Sequence, residues 1–188
     1  MTPGTYSPRF DDAVALAVSA FRGIVRKQTT IPYVTHLFTV CALVGEHGGD
    51  EDQMIAAMLH DYLEDVPGAR REDLESRFGE RVTRIVVALS DSVTQPKPPW
   101  KQRKQTYLAH LRFEPAEVKL VSAADKLHNC SSILRDHREI GDRIFERFTA
   151  DKANTLWYYD QVHQAIAHEW HHPLADELGH AVRQLHSL

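Results

Sequence analysis

The sequence predicts an all-α fold, a single-domain helical bundle of the 1–188 chain, and three observations predict it. Apolar residues recur at helical spacing through most of the chain. Glycine and proline fall between these stretches rather than inside them, and no segment is a convincing alternating strand. With 188 residues and 43% hydrophobic composition, one domain can bury a sizeable core.

Residues 11–27 open with Asp11 and Asp12 and carry Val14, Leu16, Ala17, Ala20, Phe21 and Ile24 as a helical stripe. Pro32 starts a second helix, which Gly48 and Gly49 end. A third spans 50–66 and stops at Pro67 and Gly68. Residues 70–78 and 80–89 form two more, separated by Gly79. The run IVVAL at 85–89 has the composition of a buried strand, but its flanks favour a helix. TQPKPPW at 94–100 is a proline-rich loop that no helix crosses. Further helices are expected over 100–112, 115–135, 140–148 and 151–170, with a short tail helix after Pro173. The expected total is nine to ten helices.

The formal charge of -4 implies no general attraction to nucleic acid or to an anionic membrane. The basic residues form short clusters rather than a long stripe, which argues against a nucleic-acid partner. No stretch approaches the ~20 apolar residues that span a bilayer, and MTPGTYSPRFDD lacks the layout of a signal peptide. Cys41 and Cys130 sit in apolar helical patterns, as in a reduced cytoplasmic protein rather than a disulfide framework. The expectation is a cytoplasmic protein with no membrane or nucleic-acid partner; the sequence carries no signal for its oligomeric state.

LHDYLED, at 59–65, places one histidine and three carboxylates directly after the apolar run MIAAM. At about 100° per residue, with His60 at 0°, Glu64 falls near ~40°, Asp61 near ~100° and Asp65 near ~140°. Ile55, Met58, Leu59, Tyr62 and Leu63 occupy the opposite side, a packing face. A solvated face is the ordinary reading of such carboxylates. Acidic residues near a helix C-terminus nevertheless oppose the macrodipole, a hint that they serve something else. In VKLVSAADKLHNCSSILRD, Asp125, Asn129 and Ser132 lie opposite a stripe of Leu120, Ala124, Leu127 and Leu134. His36 sits among core residues in IPYVTHLFTVCALV, where a lone histidine is ordinarily a hydrogen-bonded core residue. Taken together, His36, His60, Asp61 and Asp125 make a mixed nitrogen and oxygen set that suits a divalent first-row metal with open positions.

PYVTH, LHDYLED and AADKLHN, with the pair RK upstream, resemble the HD metal-dependent phosphohydrolases. More narrowly, they are similar to the alarmone (ppGpp) hydrolase domains of the RelA/SpoT type and their small stand-alone relatives. The likeness covers about residues 21–129, with a weaker echo at Leu156-Trp157-Tyr158-Tyr159, so the motif-bearing core is about 21–170. The resemblance implies that His36, His60, Asp61 and Asp125 bind the metal, usually manganese, and that Glu64 and Asp65 are the acidic catalytic pair beside it. It also implies that Arg26 and Lys27 hold the purine and its phosphates, and that Asn129 and Ser132 line the nucleotide pocket. Three departures stand out: Phe21 where relatives often carry histidine, Leu37 where proline often follows the motif histidine, and Lys126 where arginine is common. None removes a metal ligand or an acid, so they bear on substrate identity more than on chemistry. With the chain ending at Leu188, the resemblance implies a hydrolase without a synthetase.

The implied reaction is hydrolysis of the 3′-pyrophosphate of guanosine 3′,5′-bis(diphosphate)-like alarmones, giving GDP or GTP and pyrophosphate. The metal would supply Lewis acidity and an activated water. Glu64 would order the attacking water or take its proton, and Asp65 would shape the site or assist; either carboxylate fits the role of base. Candidate partners for the anionic substrate are Arg22, Arg26, Lys27, Lys97, Lys101, Arg103 and Lys104, the last four equally well read as an exposed loop and helix start. Lys152 and Asn154, before LWYY, are further pocket candidates. The alternative within the enzyme class is an HD phosphohydrolase for another nucleotide, an adenosine alarmone or a phosphorylated dinucleotide cofactor. A catalytically silent nucleotide-binding module would be expected to carry damage to the metal set or acidic pair, and neither is damaged. HEWHH at 168–172 satisfies the zinc-protease pattern HExxH. Pro173 ends the helix at once and no Gly-x-x-His follows, so a polar helix end is expected there instead.

Overall fold

The computed structural model describes residues 6–91 and 98–188. Among them are nine α-helices, one 3-10 helix and a single isolated extended pairing, Val25 with Pro32. The all-helical expectation holds, including at IVVAL, which lies inside a helix. Most of the proline-rich loop, with Lys97, lies outside the described residues. The chain divides into two compact units, Met1–Val93 and Thr94–Leu188. No helix among the described residues is long and apolar enough to cross a membrane.

The first unit holds α1 (Pro8–Ala20), α2 (Val34–Glu46), α3 (Glu51–Leu59), α4 (Tyr62–Asp65) and α5 (Arg71–Leu89). Its centre is α3, which packs against α1, α2 and α5. Ile55, Ala56, Ala57, Met58 and Leu59 have no exposed surface, and each large side chain among them stabilises the unit by about 1.5–3 kcal/mol. Asp50 and Gln53 close a capping box at the start of α3. Arg81 and Arg9 pair with Asp50 and Asp52 at 2.8 and 2.9 Å.

Two boundaries differ from the expectation, and both differences matter for function. The first helix stops at Ala20 rather than Lys27. Beyond it, Gly23 and the β-branched Val25, Thr29, Thr30 and Ile31 favour a reversal over another helical turn. The Arg26 N–H donates to the Ile31 carbonyl at 2.8 Å and the Tyr33 N–H to the Ile24 carbonyl at 2.9 Å. The helix expected over 50–66 is also two pieces: Asp61, at φ -96 and ψ 3, leaves the helical region between α3 and α4. His60 directs its ring N–H to the Ala57 carbonyl at 2.8 Å, competing for the acceptor that a continuing helix would use. The packing face therefore stops at Leu59, and no residue of α4 is buried.

The second unit holds α6 (Trp100–Leu111), α7 (Ala116–Ile140), a 3-10 helix (Gly141–Arg147), α8 (Lys152–Ala167) and α9 (Pro173–His186). The centre is α7, which packs against α8, α9 and the 3-10 helix. Every residue from Val118 to Asp125 is buried, including Lys119, Ser122 and Asp125. The stretch expected as a helix over 140–148 is instead the tail of α7 plus the 3-10 turn, divided at Gly141 with φ 61. The tail helix is longer than expected, 14 residues, with Leu174, Ala175, Leu178, Ala181, Val182 and Leu185 buried. Its apolar residues at i, i+4, i+7 and i+8 carry the signal that its position near the end of the chain obscured.

HEWHH does not lie on a helix. Helix α8 ends at Ala167, His168 leaves the helical region at ψ 116, and Glu169 sits at φ 53. The Leu174 N–H donates to His172 Nδ1 at 3.2 Å, and the His172 ring stacks on Trp170 at 4.7 Å. The helix expected over 151–170 thus stops three residues early, and the two-histidine helical face that a zinc protease needs is not formed.

Candidate active site

In the first unit, the start of α2 and the break between α3 and α4 bring PYVTH and LHDYLED together. His36 lies in the first turn of α2 and His60 at the end of α3, and both rings are buried. Their centroids are 5.1 Å apart with an edge-on geometry. The Asp61 Oδ2 oxygen lies 2.9 Å from His60 Nε2 and 3.8 Å from His36 Nε2. It also accepts a hydrogen bond from the Tyr33 hydroxyl at 2.5 Å. The break at Asp61 produces this convergence, which the uninterrupted wheel, with its ~100° between His60 and Asp61, does not describe.

The tautomer of His60 follows from its partner. Nδ1 donates to the Ala57 carbonyl, so Nε2 is the nitrogen that can present a lone pair. A lone-pair nitrogen and a carboxylate oxygen at 2.9 Å repel each other unless a proton or a cation lies at hand. A histidine fixed through Nδ1 to a backbone carbonyl, with Nε2 beside a carboxylate, is also the arrangement that metal-ligating imidazoles adopt. These residues therefore fit a divalent cation. Glu64 and Asp65 follow one turn later on α4, Glu64 half-buried and Asp65 exposed. Their N–H groups donate to the Asp61 carbonyl at 3.2 and 2.9 Å, which ties the acidic pair to the same turn.

Arg26 and Lys27 sit in the reversal before α2 rather than on a helix. Gln28 takes φ 54 at its tip, Arg26 is half-buried and Lys27 exposed. The reversal returns the chain to Tyr33 through the Tyr33–Ile24 hydrogen bond, carrying the basic pair back toward the start of α2. Phe21, one of the departures from the relatives, is buried and stacks on Tyr33 with centroids 5.3 Å apart and planes 13° from parallel.

In the second unit, Asp125 is a buried carboxylate on α7. Lys126 Nζ donates to its Oδ2 and Asn129 Nδ2 to its Oδ1, both at 2.5 Å. Burial alone would pull the Lys126 ammonium down; the Asp125 carboxylate, together with Tyr158 and Tyr107, outweighs that and holds its pKa well above the usual lysine value. Ser132 directs its hydroxyl to the His128 carbonyl of its own helix at 2.9 Å. Tyr107 and Ser122 share a buried hydrogen bond of 3.1 Å between α6 and α7, and burial pushes the Tyr107 phenol far up.

The remaining candidates divide. Lys101 donates to Asn154 Oδ1 at 3.1 Å and lies 3.0 Å over the Trp157 ring. Lys104 lies 4.7 Å over Tyr158. These residues form one basic and aromatic surface between α6 and α8. Lys152 faces elsewhere: it pairs with Asp142 of the 3-10 helix at 2.9 Å. Asn154 also serves its own helix start, since its N–H and side-chain amide both donate to Asp151. Sequence reasoning passed over Tyr33 and treated Lys126 only as a departure. Tyr33 had a usable signal in its i, i+3 relation to His36. Lys126 had none, because adjacent helical residues point about 100° apart.

The sequence pattern of the HD domain matches residues 13–156. Over 106 residues the chain is 35% identical to the guanosine-3′,5′-bis(diphosphate) 3′-pyrophosphohydrolase MESH1 of Xenopus tropicalis, covering 55% of this chain and 57% of that one. Over 140 residues it is 29% identical to the bifunctional (p)ppGpp synthase/hydrolase SpoT of Escherichia coli, covering 69% of this chain and 19% of that one. The chain thus spans little more than half the length of the small curated relatives it matches. Among solved structures, a metazoan ortholog of SpoT described as hydrolysing ppGpp superimposes with a TM-score of 0.78 over 96% of this chain and 98% of that one, at 24% identity. That likeness establishes the fold.

Proposed function

The chain belongs to the HD-domain family, whose pattern runs through residues 13–156, and on that premise we propose that it hydrolyses the 3′-pyrophosphate of guanosine 3′,5′-bis(diphosphate)-like alarmones with a divalent metal, manganese. The observation that carries the reading is the convergence of His36, His60 and Asp61, with the His60 tautomer fixed by Ala57 and Nε2 facing a carboxylate. The names of the curated relatives supply the substrate class.

In this reading His36, His60, Asp61 and Asp125 hold the metal, and 1–188 acts as a single HD hydrolase domain. When bound, the ion supplies Lewis acidity and an activated water. Glu64, half-buried one turn beyond Asp61, orders the attacking water or receives its proton, and Asp65 assists from the exposed side. Arg26 and Lys27 engage the purine and phosphates, and Lys101 and Lys104 neutralise further phosphate charge. Asn129 and Ser132 line the pocket in the same reading; Asn129 does so while also steadying Asp125. Lys152 and Asn154, each also engaged at the start of α8, complete the set. A cytoplasmic setting belongs to the proposal, supported by the two buried, unbridged thiols, of which burial pushes Cys41 up to about 11.

A panel of nucleotides tests the reading: ppGpp, pppGpp, adenosine alarmones and phosphorylated dinucleotide cofactors, each with manganese and with chelator. The expected result is metal-dependent turnover that is fastest on the guanosine 3′-diphosphates. Faster turnover of an adenosine or dinucleotide substrate would favour the alternative, to which the departures at Phe21 and Leu37 are relevant. Failure of the unchelated protein to turn over any of them would favour a silent nucleotide-binding module.

A further inference from the structure

We propose that Tyr33 is a positioning residue for the metal centre, holding the Asp61 carboxylate in place, and that Phe21 in turn sets the place of Tyr33. The inference rests on the metal-binding reading above and adds to it two residues that the ligand set does not contain. Tyr33 donates its hydroxyl proton to Asp61 Oδ2, the same oxygen that lies 2.9 Å from His60 Nε2 and 3.8 Å from His36 Nε2. The phenol is a neutral donor, so it fixes the direction of the carboxylate without cancelling the negative charge that a cation needs. Asp61 needs such a constraint because it stands at a helix break, at φ -96 and ψ 3, where neighbouring helical turns do not confine its side chain as they would inside a helix.

Tyr33 is itself held from two directions. Its carbonyl accepts the His36 N–H at 2.9 Å, and its ring meets the His36 ring edge-on at 5.5 Å, so Tyr33 and His36 share the first turn of α2. On its other side the buried Phe21 ring stacks nearly parallel to it at 5.3 Å. The end of α1, the start of α2 and the α3–α4 break therefore meet through one tyrosine. A partner that orients a ligating group typically governs metal affinity by a factor of about 10–100.

The test is manganese binding to metal-free protein, followed by the resonance of free manganese, with thermal unfolding of the same metal-free samples. Tyr33→Phe keeps the ring and removes only the donor; it is expected to weaken manganese binding by roughly 10–100-fold with little change in metal-free melting temperature. Phe21→Leu keeps the hydroxyl and removes the stack; it is expected to weaken binding by a smaller factor. Phe38→Ala, an exposed residue of α2, serves as a control that leaves binding at the wild-type level. Wild-type affinity in Tyr33→Phe, with wild-type protein binding manganese normally, would overturn the role of Tyr33 and leave the metal reading intact. Wild-type affinity in Phe21→Leu would overturn the role of the stack. A wild-type protein that binds no divalent ion would overturn both the inference and the reading on which it rests.

Discussion

At the scale of the residue, the proposed chemistry divides labour between two carboxylates one turn apart, Asp61 and Glu64. Asp61 Oδ2 faces both imidazole Nε2 atoms, whereas Glu64 lies one turn on, half-buried on a helix with no buried residue of its own. Asp61→Asn is therefore expected to lose bound metal, because it removes an anionic ligand. Glu64→Gln is expected to keep the metal and much of the nucleotide affinity while turnover falls roughly 10²–10⁴-fold, the usual contribution of a general base. Metal analysis and turnover of both variants check this, and a Glu64→Gln protein without metal would place Glu64 among the ligands instead. Much at this scale was legible in the sequence, because histidine and aspartate are conspicuous inside IPYVTHLFTVCALV and VSAAD. What the sequence hid were the partners: Tyr33 on Asp61, Ala57 on His60, and Lys126 on Asp125. The Tyr33–Asp61 bond joins residues 28 apart and leaves no periodic trace.

At the scale of the element, the breaks matter as much as the helices. Gly79 divides α5 at φ 86 and ψ 170, a region that side-chain-bearing residues avoid, although a Cβ there would meet nothing within 4 Å. Gly79→Ala is therefore expected to destabilise the protein by about 1–3 kcal/mol through the backbone alone, measurable as a lower urea midpoint with an unchanged slope. Helix α8 gives a second prediction. Burial, and then the Arg183 charge, lower the pKa of His163, while Asp160, Asp176 and a bond with the Ala175 backbone act the other way. The unfolded chain thus binds this proton more readily than the folded one. The contribution to stability is fully present above the unfolded value near 6.5 and declines as the pH falls through the window below it. Urea midpoints taken from about pH 7.5 to about pH 5.5 are expected to fall, and His163→Gln to fall less steeply. Gly79 and the helix at 80–89 were readable because glycine punctuates the pattern. The reversal at 21–33 was not, since Ile24 continued the apolar stripe of α1 at helical spacing. Nor was the break at Asp61, where a histidine ring takes up a backbone acceptor.

At the scale of the whole molecule, the HD pattern extends through both compact units, from residue 13 to 156. The ordered motifs PYVTH, LHDYLED and AADKLHN made that membership legible from the sequence, since spacing and order survive where overall identity is low. The polar and aromatic surroundings of the site were less legible. Lys101 and Lys104 share one motif-poor stretch with Lys97, and only their rings and partners distinguish a structured basic surface from a solvated one. The proposed reaction breaks the bond between the 3′-oxygen of the nucleoside and its pyrophosphate. Phosphorus resonance of the products formed from ppGpp in the presence of manganese tests it most directly. One pyrophosphate and one GDP per turnover, with no orthophosphate, are expected; orthophosphate released in place of pyrophosphate would contradict the proposed reaction.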